Sequence, residues 1–129
     1  MENNSKQIEW DAKRFLTKNN YLIQTEAVKN YLLPQMNYRE NPQWLTYAVE
    51  ADILNVALFG FTAKAWREAN LELAKKNNVR DFASINELTV LSNLESHNAL
   101  MIKEGKGKEE RFKILREIAE YQLNVLNTA

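Results

Sequence analysis

The clearest pattern of apolar positions lies in the middle of the chain, between residues 46 and 59. On a helical wheel, Tyr47, Leu54 and Leu58 share one face, while Ile53 and Val56 lie on the opposite side. A helix that is apolar nearly all round is packed by neighbours on both sides. The pattern therefore predicts a buried central helix.

A stop signal and a start signal follow the central helix. Gly60 can adopt the left-handed conformation that ends a helix, and Thr62 can act as the N-cap of the next one. This next helix is predicted over residues 62–74. Residues 79–83 are predicted to form a connector, in which Phe82 fills the core.

The N-terminal part of the chain predicts two shorter helices. The apolar positions of the first recur at helical spacing over residues 7–18: Ile8, Ala12, Phe15 and Leu16. We expect residues 1–6 to be disordered, and residues 19–23 to end this amphipathic helix and form a connector. Thr25 can cap the second helix, which Pro34 should end or kink because proline lacks the backbone N–H. A loop over 37–42 then leads into the central helix, with Pro42 at or near its first residue.

The last two helices carry the strongest boundary signals. Ser84 and Glu87 form a capping box, so a helix is predicted to start there, run to Glu104 and stop at Gly105. After a short turn, the last helix is predicted over about residues 109–126. The fold class predicted for residues 1–129 is all-α, a compact bundle of about six helices in a single domain.

Composition supports this class and excludes others. The length of 129 residues suits one domain, and three glycines with two prolines are too few for a turn-rich β fold. Seventeen basic and seventeen acidic residues cancel, so no global charge points to nucleic acid or a membrane. The chain has no cysteine, and it shows neither a signal-peptide core nor a membrane-spanning run. We therefore expect a cytoplasmic protein without a membrane, metal or cofactor.

Polar residues on the apolar faces are the informative anomaly. Glu95 and Asn98 fall within the stripe of the helix after Ser84, and Glu50 falls on the inner face of the central helix. Burying a lone carboxylate is costly, so a partner is required. The remaining members of the predicted buried polar network are Arg67, Arg80, Arg111 and Gln122.

Two interpretations of this network remain open: a pocket with shifted pKa values, or an interhelical network that sets the helix register. The absence of a second catalytic signature favours the register network. Arg111 is the predicted partner of Glu95, because a short turn should fold the last helix back alongside it, with Arg80 and Arg67 as alternatives.

Other candidate sites are weaker. His97 is the only histidine and lies on a polar flank, so it is predicted at the surface. The glycine-lysine turn over 105–108 lacks the spacing of a phosphate-binding loop. Lysines at its edges offer the predicted phosphate contacts: Lys103, Lys106 and Lys108. The three tryptophans lie on helical stripes and are predicted in the core: Trp10, Trp44 and Trp66.

Three segments resemble one family: ADILNVALFGFTAKAWREAN (51–70), NVRDFASINELTVLSNLESHNALMIKEG (78–105), and the Glu110-Arg111 pair with residues 115–122. They are similar to the C-terminal region of KilA-N-domain proteins of bacteria, phages and mobile elements. The resemblance extends from about Ile8 to Leu126, without the KilA-N domain itself, the presumed DNA-binding part of that family. It implies a helical accessory region.

These observations together predict a non-catalytic accessory or interaction module of phage or mobile-element type. Its predicted partner is another protein or a second copy of itself. One alternative is a nucleic-acid-binding protein, supported by the family association and the lysine patch. The other is an enzyme that uses Glu50, Glu95 and Arg111, which would require these groups to open into a cleft.

Overall fold

A computed structural model describes residues 2–36 and 42–129, and its regular elements are all helical. The α-helices in these ranges are α1 (Glu2–Ala27), α2 (Gln43–Phe59), α3 (Ala63–Ala69), α4 (Ile85–Lys103) and α5 (Lys108–Thr128). The predicted all-α class is confirmed, but five α-helices replace the predicted six or so. The loop predicted over 37–42 lies outside the described residues, apart from Pro42.

The number of helices differs because α1 is one continuous helix of 26 residues. It includes residues 2–6, predicted to be disordered, and 19–23, predicted to end the first helix. Inside the helix, the side-chain amide of Asn20 donates a hydrogen bond to the carbonyl oxygen of Ser92 at 2.9 Å. Asparagine is unfavourable in a helix because its amide competes for local backbone groups. Here a contact with α4 engages that amide and removes the competition.

The helical path changes at the end of α1. A π-helical turn over Val28–Leu32 is followed by a 3₁₀ turn over Leu33–Gln35, and Met36 is extended. Pro34 therefore lies where helical structure ends, as its missing N–H predicts. Pro42 is extended and precedes α2 as its N-cap, one residue before the helix proper.

Four predicted caps are confirmed, and the one predicted at Thr25 is wrong. α1 continues through Thr25, whose hydroxyl donates to the carbonyl oxygen of Leu22 at 2.9 Å within the helix. Gly60 ends α2 with φ at 86°, and Gly105 follows α4 with φ at 84°. The hydroxyl of Thr62 accepts a hydrogen bond from the amide of Ala65 at 3.1 Å. Before α4, the side chains of Ser84 and Glu87 exchange hydrogen bonds with each other's backbone N–H. α3 is shorter than predicted and ends at Ala69, before a separate 3₁₀ turn over Leu73–Lys75.

The main core lies between α2, α4 and α5. Its fully buried members include Leu54, Leu91, Leu94 and Leu115, each with 0% exposure. A smaller cluster joins the two turns after α1 to α4 through Val28, Leu33, Ala99 and Ile102. In the described part of the chain no single helix is long and apolar enough to cross a membrane. Taken together, α2 and α3 have the length and composition of a membrane span, but they are bent by 66° relative to each other.

Several aromatic residues predicted in the core lie elsewhere. Trp44 is 68% exposed in the first turn of α2. Phe82 is 54% exposed and packs against Trp66 with ring centroids 5.8 Å apart. Trp10 is half-buried, and its indole N–H donates to the carbonyl oxygen of Ala83 at 3.4 Å. A position on the apolar stripe of a helix did not predict burial for these side chains, because α3 and the connector over residues 79–83 cover little of the neighbouring surface.

Candidate functional site

An ion pair lies in the interior of the bundle. Glu50 on α2 and Arg111 on α5 have side-chain exposures of only 2% and 1%. Nη2 of Arg111 donates to Oε2 of Glu50 at 2.9 Å, and Nη1 donates to the other carboxylate oxygen. This two-point pairing engages both oxygens of the carboxylate, the geometry in which a guanidinium binds a carboxylate most strongly.

Two amides complete a buried polar network of Gln24, Glu50, Asn98 and Arg111. Oδ1 of Asn98 accepts from Arg111 at 2.9 Å, while its amide donates to Gln24 at 3.0 Å and to Glu50 at 3.3 Å. Nε of Arg111 donates to the carbonyl oxygen of Lys106 at 3.0 Å. The network therefore ties α1, α2, α4 and α5 together, which favours its interpretation as a device that sets helix register.

The predicted partner of Glu95 is wrong. The turn after α4 brings Arg111 opposite Asn98, about one helical turn from Glu95. There Arg111 also pairs with Glu50 of α2. Arg80, an alternative in the sequence analysis, is the partner instead, with Nη2 3.4 Å from Oε2 of Glu95.

Two other predicted members lie outside the network. Arg67 is exposed on α3. Gln122 accepts a hydrogen bond from the amide of Asn93 at 3.0 Å near the surface. Gln24, in contrast, was missed, although it shares the polar side of α1 with Thr17 and Asn20 at spacings of three and four.

Glu95 forms a second polar site on α4. Its side chain has 0% exposure, and its Oε1 atom has no hydrogen-bond partner in the described residues. Burial raises the pKa of Glu95 from 4.5 to about 7, outweighing the lowering effect of the Arg80 charge and hydrogen bond. Arg80 itself stacks over the ring of Tyr21 at 5.3 Å.

The raised pKa of Glu95 predicts that its contribution to the free energy of unfolding decreases as the pH rises. The folded chain holds the Glu95 proton more tightly than the unfolded chain, so its contribution is full below about pH 4.5 and is lost as the pH rises to about 7. Glu95→Gln cannot ionise. Between pH 4.5 and pH 8, the unfolding free energy of the wild type should therefore fall relative to the variant by on the order of 2–3 kcal/mol.

Urea unfolding of both proteins at several pH values measures this difference, because contributions from the other groups cancel. Glu95→Ala should be less stable than Glu95→Gln at each pH, since alanine leaves a cavity. Parallel pH profiles for wild type and Glu95→Gln would show that the carboxyl is not buried as described.

A cleft of about 320 Å³ lies beside the buried polar network. Its lining combines the buried pair Glu50 and Arg111 with the turn over 105–108 and with apolar residues: Tyr31, Leu32, Met36, Leu45, Val49 and Ile102. These two groups line the cleft, as the enzyme hypothesis requires, but they already engage each other and Asn98. Neither offers a free acid, base or nucleophile.

The described residues offer little for a metal or a polyanion. No group of three or more His, Asp or Glu side chains in ranges 2–36 and 42–129 could hold a metal ion, and His97 is exposed. Lys103 and Lys108 are exposed, whereas Nζ of Lys106 lies 3.5 Å from a carboxylate oxygen of Glu104. Two glutamates in the first turn of α5 further offset the charge of this turn.

The remaining candidate is an exposed apolar surface on α1. We call it the α1 apolar face, and its large members are Ile8 (69% exposed), Phe15 (65%), Leu16 (49%), Leu22 (59%) and Ile23 (51%). The opposite, polar side of α1 packs on α4, and Thr17 and Gln24 are buried there. The hydroxyl of Thr17 donates to the carbonyl oxygen of Leu88, and the side-chain oxygen of Gln24 accepts from the amide of Asn98.

The apolar stripe over residues 7–18 was predicted from the sequence, but its outward orientation was not. An amphipathic helix usually buries its apolar side. α1 buries hydrogen-bonding groups instead, and a contiguous exposed apolar surface of this kind is typical of interaction sites.

Comparisons with known proteins do not indicate a function for this chain. No protein-family model matches the sequence, and searches of curated proteins and of solved structures found no match. The resemblance to the region that accompanies KilA-N domains therefore stays a prediction.

Proposed function

We propose that this chain is a non-catalytic helical interaction module that binds a protein through the α1 apolar face. The observation that carries the proposal is the orientation of α1, which turns Phe15 and Leu22 outward and Thr17 and Gln24 inward. The resemblance to an accessory region of phage and mobile-element proteins supports the same role.

The energetics favour a partner on this face. Fully burying an exposed large apolar side chain contributes about 1.5–3 kcal/mol, and covering the exposed half or so of each of these five contributes a corresponding part of it. Association also has costs in lost motion and ordered side chains. Only the surplus over these costs appears as affinity, and the five groups on one helix contribute to that surplus together.

The mode of attachment of α1 keeps this face available. Hydrogen bonds hold the helix to α4, including Thr17 to the carbonyl oxygen of Leu88 at 3.3 Å and Asn98 to Gln24 at 3.0 Å. Because these contacts use the polar side, a partner can cover the apolar side without disturbing the bundle. The self-satisfied Glu50–Arg111 pair also supports a non-catalytic role.

Photo-cross-linking in the native cells tests the proposal. A benzophenone amino acid replaces Phe15 in one variant and Tyr121 in a matched control, since Tyr121 is an aromatic residue on α5 with 71% exposure. The expected result is a discrete protein adduct from position 15, identified by mass spectrometry, that is absent at position 121. Equal labelling at both positions, or no protein adduct at position 15, would overturn the proposal.

A further inference from the structure

We infer that the partner on the α1 apolar face is a second copy of this chain, with the two α1 helices packed in parallel as a short coiled coil. This inference rests on the proposed function and specifies its partner. It is carried by the spacing of the exposed residues and by one asparagine among them.

The exposed positions follow the heptad repeat of a coiled-coil seam. Ile8, Phe15 and Leu22 are exposed at intervals of seven residues. Ala12 and Asn19 are exposed between them, so the steps alternate between four and three. Alternating steps of four and three are the spacing of the positions that meet in a coiled coil, so this face suits pairing with another helix.

Asn19 is the single polar residue within this seam. It is exposed, and it takes the same heptad position as Ala12. In a parallel pair, equivalent seam positions meet at the same level, so the Asn19 amides of the two copies can bond to each other. One such asparagine sets register and oligomeric state in parallel coiled coils. In an antiparallel pair it would face an apolar residue and lose this partner.

The flanking positions fit self-association. Leu16 and Ile23 follow the seam residues Phe15 and Leu22 and widen the apolar contact on one side. On the other side stand Asp11 and Lys18, whose opposite neighbours in a parallel pair are Leu16 and Ile23 of the second copy. No like charges oppose each other along this stretch.

The length of the seam sets the expected strength. From Ile8 to Leu22 it runs for 15 residues, or about 22 Å at 1.5 Å per residue. Glu26, the next residue in the seam phase, is charged and ends it. Because the seam is only about two heptads long, we expect a reversible dimer with a dissociation constant on the order of micromolar.

Sedimentation equilibrium of the purified full chain measures the dimer. Phe15→Glu and Leu22→Glu should each raise the dissociation constant more than tenfold, because each places a charge within the seam. Tyr121→Glu is the matched control, and its dissociation constant should stay at the wild-type value, since Tyr121 is equally exposed but on α5. Circular dichroism verifies that each variant keeps its helix content.

Disulfide trapping tests the parallel arrangement. The chain has no cysteine, so a single substitution reports one position. Under oxidising glutathione, Ile8→Cys should form a covalent dimer, since the two copies of position 8 meet in a parallel pair and are far apart in an antiparallel one. Glu117→Cys, at an exposed position on α5, is the control and should remain monomeric.

The outcomes separate this inference from the proposed function. A concentration-dependent dimer that Phe15→Glu weakens and Ile8→Cys traps supports it. A monomer at every concentration, a dimer insensitive to Phe15→Glu, or no trapping at position 8 above the control overturns it. If position 15 still cross-links to a different protein in cells, the proposed function stands without the second copy.

Discussion

Arg111→Ala is expected to lower the free energy of unfolding by about 3–5 kcal/mol. The substitution leaves Glu50 with 2% exposure and without its cation, and it removes the donor to Asn98. A buried charge without a partner is far more costly than a lost surface contact, because water cannot replace the missing donors. Since proteins of ordinary stability unfold with about 5–15 kcal/mol, the expected loss is a large fraction of the total.

Chemical denaturation measures this loss, and Arg67→Ala is its matched control. Arg67 is exposed on α3, so its removal should change the unfolding free energy by less than about 0.5 kcal/mol. Replacing Glu50 and Arg111 together with leucine should recover part of the stability, since no unpaired charge then remains. Similar small effects for Arg111→Ala and Arg67→Ala would contradict the buried ion pair.

Leu54→Ala and Leu91→Ala should each destabilise the fold by about 2–5 kcal/mol. Both side chains have 0% exposure in the core between α2, α4 and α5. Each substitution removes apolar contacts and leaves a cavity that close-packed neighbours cannot fill without shifting.

Leu71→Ala provides the comparison, because Leu71 is 71% exposed. Its unfolding midpoint should stay close to that of the wild type in the same denaturant series. If Leu54→Ala cost less than half a kilocalorie per mole, α2 would not be the central helix of this fold.

The parts of the fold that were predicted well depend on local chemistry. The cap at Ser84 and the left-handed glycines at 60 and 105 use groups within one turn of the backbone, so the sequence contains the whole determinant. The burial of Glu95 followed from the same local signal, because a fixed helix start sets the phase of every later residue.

Errors arose where contacts between distant segments decided the outcome. Asn20 should interrupt a helix, yet its hydrogen bond to Ser92, 72 residues away, engages its amide. The partner of Glu95 depended on the register between α4 and α5. Arg111 lies opposite Asn98, about one helical turn beyond Glu95, and Arg80 pairs with Glu95 instead. Periodicity determines the faces of a helix but not which face a neighbour covers.

The orientation of α1 determines which surface of the helix is exposed. Its apolar stripe was visible in the sequence, and its polar stripe at Thr17, Asn20 and Gln24 has the same helical spacing. The groups of α4 that face it, the carbonyl oxygens of Leu88 and Ser92 and the side chain of Asn98, are polar. This match places the hydrogen-bonding side of α1 inward and its apolar face outward.

The unfolding free energy of Phe15→Glu, measured at a concentration where the chain is monomeric, tests this orientation most directly. With Phe15 65% exposed, the account predicts a value within about 0.5 kcal/mol of the wild type. A loss of about 3–5 kcal/mol, as for a phenylalanine removed from a packed core, would mean that the apolar side of α1 is buried and would contradict the account.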